Sequence, residues 1–207
     1  VIYGSGQKFP AIFSVSLING TNGFIYPCGA SVVGRAGDFN NDSYSDIVTG
    51  YTQGAFGGGR TIMTVLFTNS SMPMQVNCNA LNNQNSFSVS IPSTNVYAPG
   101  YTGSFVDVSG GNDLNGDSID DVVCGVPTYG DGMAIIYFGN SNISAIQSIS
   151  ITSNVNSLLG VTLSSILDIN NDGKPDLLIG APGGGAYEGT DGYAAIMYGH
   201  NISEPFP

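Results

Sequence analysis

Residues Asp38-Phe39-Asn40-Asn41-Asp42-Ser43-Tyr44-Ser45-Asp46 lead straight into Ile47-Val48-Thr49-Gly50, and the arrangement returns twice. The second copy runs Asp113-Leu114-Asn115-Gly116-Asp117-Ser118-Ile119-Asp120-Asp121 into Val122-Val123-Cys124-Gly125. The third runs Asp168-Ile169-Asn170-Asn171-Asp172-Gly173-Lys174-Pro175-Asp176 into Leu177-Leu178-Ile179-Gly180. Each is D-x-N-x-D-x-x-x-D. Oxygen side chains at every second position of a tight loop converge on one point, and carboxylates gathered there repel unless a hard cation lies between them. Ca²⁺, which takes six to eight oxygens at about 2.3–2.6 Å, meets that demand.

Working outward, each loop and its apolar run are followed by a Gly-rich turn and a further strand, over residues 61–67, 133–138 and 193–198. An alternating segment also recurs: Phe13-Ser14-Val15-Ser16-Leu17, Phe87-Ser88-Val89-Ser90-Ile91 and Gln147-Ser148-Ile149-Ser150-Ile151. Alternation with Ser puts the apolar side chains on one face of a strand. A short strand opening near Gly29, Gly103 or Gly160 precedes each loop. Nothing carries a 3.6-residue period over ten residues, so the chain reads as all-β. Four short strands per unit, in tandem, predict the blades of a β-propeller-like array.

The loops, with Gly180-Ala181-Pro182 after the third, resemble FG-GAP repeats, the blades of the integrin α-subunit propeller. The resemblance covers almost the whole chain. It implies Ca²⁺ bound between the first and second strands of each blade, at up to three sites. Carried over by position, the side-chain ligands are Asp38, Asn40, Asp42 and Asp46; Asp113, Asn115, Asp117 and Asp121; Asp168, Asn170, Asp172 and Asp176. The seventh position supplies a backbone carbonyl, from Tyr44, Ile119 and Lys174. The family's Gly at the sixth position survives only as Gly173, with Ser43 and Ser118 replacing it. Gly-Ala-Pro becomes Gly125-Val126-Pro127 in the second unit and Gly50-Tyr51-Thr52 in the first. The third site is therefore expected to be strongest and the first weakest. An EF-hand is excluded, because its twelfth position needs Glu and here holds Thr49, Cys124 or Ile179. A metal-free reading makes the same aspartates turn formers.

The expected organisation is a single domain, 1–207. Residues 1–28 form an orphan outer strand and lead-in, 29–92 blade 1, 93–152 blade 2, and 153–207 a blade 3 lacking its own outer strand. Val1-Ile2-Tyr3-Gly4 matches the end of a third strand, so the units are offset by one strand at the termini. Either the chain is an excerpt of a longer propeller, or the orphan strand completes another copy, giving a filament or ring.

The chain has 4 Lys+Arg against 15 Asp+Glu, for a net charge of −11. Three bound Ca²⁺ would leave about −5, so the acidity is mostly local ligand chemistry. Nucleic acid is excluded as a partner, and no apolar run is long enough for membrane insertion. The absence of a signal pattern places the start inside a mature or excised segment. Sequons occur at Asn19, Asn69, Asn142 and Asn201, and at Asn41, where a glycan would crowd the first loop. They point to an extracellular or cell-surface glycoprotein. Cys28 and Cys78 are a possible disulfide, and Cys124 lies in a buried strand.

Function then reads as a non-enzymatic structural or adhesion module that assembles with other copies. An integrin-like or lectin-like head is the alternative, binding an extracellular protein or glycan through Tyr51, Phe56, Tyr97, Tyr101, Tyr129 and Tyr187. A third reading makes the chain the non-catalytic domain of a carbohydrate-active or hydrolytic enzyme. His200 is badly placed for a general base, and no nucleophile constellation exists. Asp107, Asp120, Asp131, Glu188, Asp191 and Glu204 remain as acids for a glycosidase-type pair.

Overall fold

The computed structural model describes residues 1–4, 6, 12–53, 59–92, 107–153, 157–166, 168–183 and 191–200. The described residues form three antiparallel sheets and no α-helix. Sheet 1 runs in chain order through β1 (Val32–Gly37), β2 (Asp46–Gln53), β3 (Arg60–Leu66) and β4 (Ser86–Pro92). Sheet 2 repeats the meander with β5 (Val108–Asn112), β6 (Asp121–Gly125), β7 (Met133–Tyr137) and β8 (Ser148–Thr152). Sheet 3 holds β9 (Thr162–Ile166), β10 (Asp176–Ala181) and β11 (Tyr193–Met197).

The period-two signal explains the packing. In β4, Phe87, Val89 and Ile91 pack on the core while the intervening Ser88 and Ser90 are exposed. Strands β6 and β7 are buried along their whole length because sheet 2 lies between its neighbours. Val122 and Cys124 turn one way, into a cluster with Val48, Met63 and Val65 of sheet 1. Val123 turns the other way, to Leu177 and Ile179 of sheet 3. Burying each such side chain contributes roughly 1.5–3 kcal/mol.

Side-chain oxygens at the start of β5 tie it to the backbone of β9. Asp107 accepts from Leu163 N–H at 2.7 Å, and Ser109 Oγ from Ser165 N–H at 2.8 Å. Two glycines permit the closest approach: a Cβ built on Gly125 would stand 2.0 Å from the carbonyl oxygen of Gly160. β1 and β5 each end in a bulge, at Gly37 (φ 68°) and Gly111 (φ 77°), whose left-handed backbone glycine adopts without strain. Gly37 lies one residue and Gly111 two residues before an Asp-rich loop, and both turn the chain into it.

One expected strand is absent. Val15–Leu17 forms a 3-10 turn capped by Ser14, not an outer strand: among the described residues it pairs with no sheet. On the far side of sheet 1, Leu66 packs with Phe24, Met72 and Val76, with Tyr3, Tyr26 and Cys28 against them. Cys28 and Cys78 are joined there as a disulfide, Cα–Cα 5.3 Å. The strand openings near Gly29 and Gly160 fall at Val32 and Thr162; the one near Gly103 lies outside the described residues.

Candidate metal centres

Each D-x-N-x-D-x-x-x-D loop connects the first and second strands of its sheet, and all three fold by the same local bonds. The first Asp takes two successive backbone N–H groups. Asp38 accepts from Asp42 and Ser43 at 2.8 and 2.9 Å, Asp113 from Asp117 and Ser118 at 3.0 and 2.7 Å, and Asp168 from Asp172 and Gly173 at 3.0 and 2.7 Å. The fifth-position Asp accepts from the seventh N–H at 2.9 Å in every loop, at Tyr44, Ile119 and Lys174. The third-position Asn donates its amide to that same Asp, at 2.9, 3.1 and 2.9 Å. The loops are thus chains of Asx turns.

Such turns require left-handed residues. The sixth position has φ 73° at Ser43, 71° at Ser118 and 89° at Gly173, so the two serines carry strain that glycine escapes. The fourth position is left-handed as well, at Asn41, Gly116 and Asn171. The sequence signal was there, since Asn and Gly are the residues that tolerate that conformation, but it lay between the metal-ligating positions and went unread.

The ninth Asp opens the second strand and is buried, at 2% exposure for Asp46 and 0% for Asp121 and Asp176. One oxygen accepts from the backbone just past the third strand: Thr68 at 2.9 Å, Gly139 at 3.0 Å, Gly199 at 3.0 Å. In loops two and three the other oxygen takes the second-position N–H, of Leu114 and Ile169, both at 2.7 Å. In loop one Phe39 N–H also faces the Asp46 carboxyl and lowers its pKa as a backbone donor, but its approach is too poor to close a hydrogen bond on the buried Oδ2. Burial pushes the Asp46 carboxyl up to about 7, with the charges of Asp42 and Asp38 adding to the rise. Asp121 is pushed up to about 8, again by burial first, with Asp117 and Asp113 adding. Asp172, fully exposed, is held below the usual range, chiefly by the Asn170 amide.

The donor set suits a hard divalent cation: all oxygen, three carboxylates and an amide per loop, with no Lys or Arg inside loops one and two. The orphaned Asp46 oxygen fits the same demand. The side chains are nonetheless turned onto their own backbone. Among the described residues no group of three His, Cys, Asp or Glu side chains stands ready to hold a metal.

Two further acids work between sheets. Asp120 Oδ2 accepts from Asp38 N–H at 2.8 Å, so loop two anchors the start of loop one. Asp107 clamps sheet 3, as described above. Nothing in their sequence context marked these roles. Loop tips are also stitched forward: Asn140 N–H donates to Phe39 O at 3.0 Å, and His200 N–H to Leu114 O at 2.8 Å. Of the aromatics expected on a binding face, Tyr51 lies against Gly29 and Tyr129 is 37% exposed. Phe56, Tyr97, Tyr101 and Tyr187 lie outside the described residues, as do Glu188, Glu204 and the Asn201 sequon.

A family model of the FG-GAP repeat matches residues 159–197, which span loop three and sheet 3. Integrin alpha-6 of Gallus gallus is 35% identical over 95 residues, 42% of this chain and 8% of that protein. Integrin alpha-6 of Homo sapiens is 34% identical over 77 residues, 34% of this chain and 7% of that protein. Human phosphatidylinositol-glycan-specific phospholipase D is 35% identical over 104 residues, 44% of this chain and 12% of that protein. The resemblance to FG-GAP repeats thus rests on a family match and on integrin relatives, while the chain spans a small fraction of the length of these relatives.

Proposed function

We propose that this chain, with its FG-GAP repeat, is a calcium-binding adhesion or ligand-binding module of the cell exterior, built from propeller-like blades and without catalysis of its own. The observation that carries the reading is one loop pattern folded three times into the same turn at the same place in its sheet. In loop one, Asp38, Asn40, Asp42 and Asp46 would hold Ca²⁺ with the Tyr44 carbonyl. Asp113, Asn115, Asp117 and Asp121 with Ile119, and Asp168, Asn170, Asp172 and Asp176 with Lys174, would do so in the others. The ion, when bound, supplies the positive charge that the clustered carboxylates lack. The chain's own backbone N–H groups hold the oxygens of the first, third and fifth positions within one tight turn, from which they would turn inward onto the ion.

The disulfide supports an oxidising compartment. Asn19, Asn69 and Asn142 are exposed, and each holds the N–H two residues on with its Oδ1, at 3.0, 2.8 and 3.2 Å. That bond engages Oδ1 and not Nδ2, the atom a glycan would join. Asn201 is proposed with them on sequence alone. Association with other copies and recognition of an extracellular protein or glycan complete the reading. The phospholipase D relative favours a second one, in which such a module is the non-catalytic part of a hydrolytic enzyme.

Thermal unfolding in excess Ca²⁺ and in EGTA tests the proposal. One site filled at 100-fold excess over Kd adds about 2.7 kcal/mol, or roughly 5–11 °C in Tm for a chain of this size. Identical melts, with no metal in the purified protein, would overturn it.

A further inference from the structure

Loop one takes a support from loop two that loop two does not take from loop three. Asp120 Oδ2 accepts from Asp38 N–H at 2.8 Å, across the gap between sheets 1 and 2. Asp38 is the first candidate ligand of loop one. Asp120 lies between Ile119 and Asp121, the seventh and ninth candidate ligands of loop two. At the matching place loop one has Ser45, and loop three has Pro175, which offers loop two no carboxylate.

The fit around Asp120 is close on both sides. A Cβ at Gly37 would collide with the Asp120 side chain from Oδ2 back to its Cβ, so the place before Asp38 takes glycine. A Cβ at Gly139 would run into the Asp120 carbonyl oxygen and stand 2.7 Å from Phe39 O. Gly139 N–H meanwhile holds Asp121 at 3.0 Å, and Asn140 N–H holds Phe39 O at 3.0 Å. The tip of loop one, the end of loop two and the turn after β7 are thus packed backbone on backbone, and a shift in one is passed to the others.

Loop one is also the loop that stands least complete. Asp46 is 2% exposed, and its Oδ2 has no hydrogen bond beside the charges of Asp42 and Asp38. In loops two and three the matching oxygen is taken by Leu114 or Ile169 N–H. Ser43 adds left-handed strain, at φ 73°.

We infer that Asp120 is a positioning residue for the loop one site, and that filling loop two tightens cation binding in loop one through it. Ile119 and Asp121, once drawn onto an ion, fix the segment that carries Asp120. Asp120 in turn fixes the backbone from which the Asp38 carboxylate projects. Coupling of this kind is reciprocal, so a filled loop one tightens loop two by the same factor. The inference rests on the cation-binding reading above and adds that these two sites do not fill independently. One bond between the loops sets the scale at about tenfold in affinity, near the low end of the roughly 5–150-fold typical of coupled sites.

Tb³⁺, a hard ion that takes oxygen ligands and emits when a neighbouring tyrosine is excited, is the probe. Loop one has Tyr44, 43% exposed, where loops two and three have Ile119 and Lys174. The emission lost in Tyr44→Phe is therefore the loop one signal, and its titration in the 207-residue chain gives the loop one Kd. Asp113→Asn with Asp117→Asn disables loop two while keeping one oxygen at each position for the backbone. That pair should weaken loop one about tenfold. Asp120→Ala should do the same, and the three changes together should do no more. Asp120→Asn, which keeps an oxygen for Asp38 N–H, should bind and couple as the unaltered chain does. Circular dichroism checks that each variant folds, and the loop two pair decides the coupling by itself should Asp120→Ala not fold. A loop one Kd unmoved by disabling loop two would overturn the inference while leaving cation binding intact. So would a Kd that moves as far in the Asp120→Ala background as without it, or an Asp120→Asn chain that behaves like Asp120→Ala. No Tyr44-dependent emission at all would sink the cation-binding reading and the inference with it.

Discussion

Replacing Gly125 by Ala asks whether sheets 2 and 3 meet as described. The φ of Gly125 lies outside the left-handed region, so the backbone accepts Ala without strain. The new methyl carbon would fall 2.0 Å from Gly160 O, against 3.4–4 Å for ordinary contact. That carbonyl belongs to backbone and cannot swing aside, and Gly160 N–H is itself bonded to Gly180 O at 3.0 Å. The sheets must therefore part by about 1.4 Å there, and gaps of that order forfeit half or more of the dispersion wells lining them. Leu159, Val123, Leu177 and Ile179 line this junction. Overpacking of this kind typically costs 1–3 kcal/mol, and the upper end, about 3 kcal/mol, is expected against a rigid carbonyl. That is roughly 6–12 °C in Tm. Gly173→Ala is the control: its φ is 89° and its Cβ would meet nothing within 4 Å, so only backbone strain of about 1 kcal/mol applies. Melting followed by circular dichroism compares the two. If Gly125→Ala melts at or above Gly173→Ala, the close approach of the sheets is refuted.

Ser118→Gly should raise Tm by about 1–3 °C: relief of left-handed strain near 1–2 kcal/mol exceeds the added unfolded-chain entropy of about 0.4–1 kcal/mol. A lower Tm would contradict the φ of 71°. Removing the Cys28–Cys78 bridge by a double Ser substitution opens a link across 50 residues and should cost about 4 kcal/mol by the chain-entropy relation, read from urea midpoints at constant slope. The Cys124 thiol, 0% exposed and pushed up to about 12 by burial, should react with a thiol reagent at pH 8 only as fast as the chain unfolds. Rapid stoichiometric labelling of the folded protein would contradict its burial.

Much of the sheet architecture was legible because both signals are local. Loop spacing put the second strands at Asp46, Asp121 and Asp176, and alternation with Ser identified β4 and β8 before any contact was known. The failures share a different cause. Residues 13–17 carry a strand pattern, yet a strand needs an edge to pair with, and no pattern within five residues says where that edge is. Asp107 and Asp120 looked like spare acids because their partners, Leu163 and Asp38, are distant in sequence and offer only backbone N–H, which every residue has. The ninth Asp was read as a ligand alone; that it also ties the loop to the turn past the third strand depends on a meander the loop itself does not encode.

The stitching of Phe39 O to Asn140 N–H and of Leu114 O to His200 N–H gives the stack a direction. Loops one and two each lean on the unit after them, and Asp120 adds a bond from loop two to the start of loop one. Trimming from the front would strip a unit while leaving its successors' loops supported, whereas trimming from the back unbuttons the loop of whichever unit is left last. Lengthening such an array by duplication is accordingly safest at an internal unit, where both neighbours already exist.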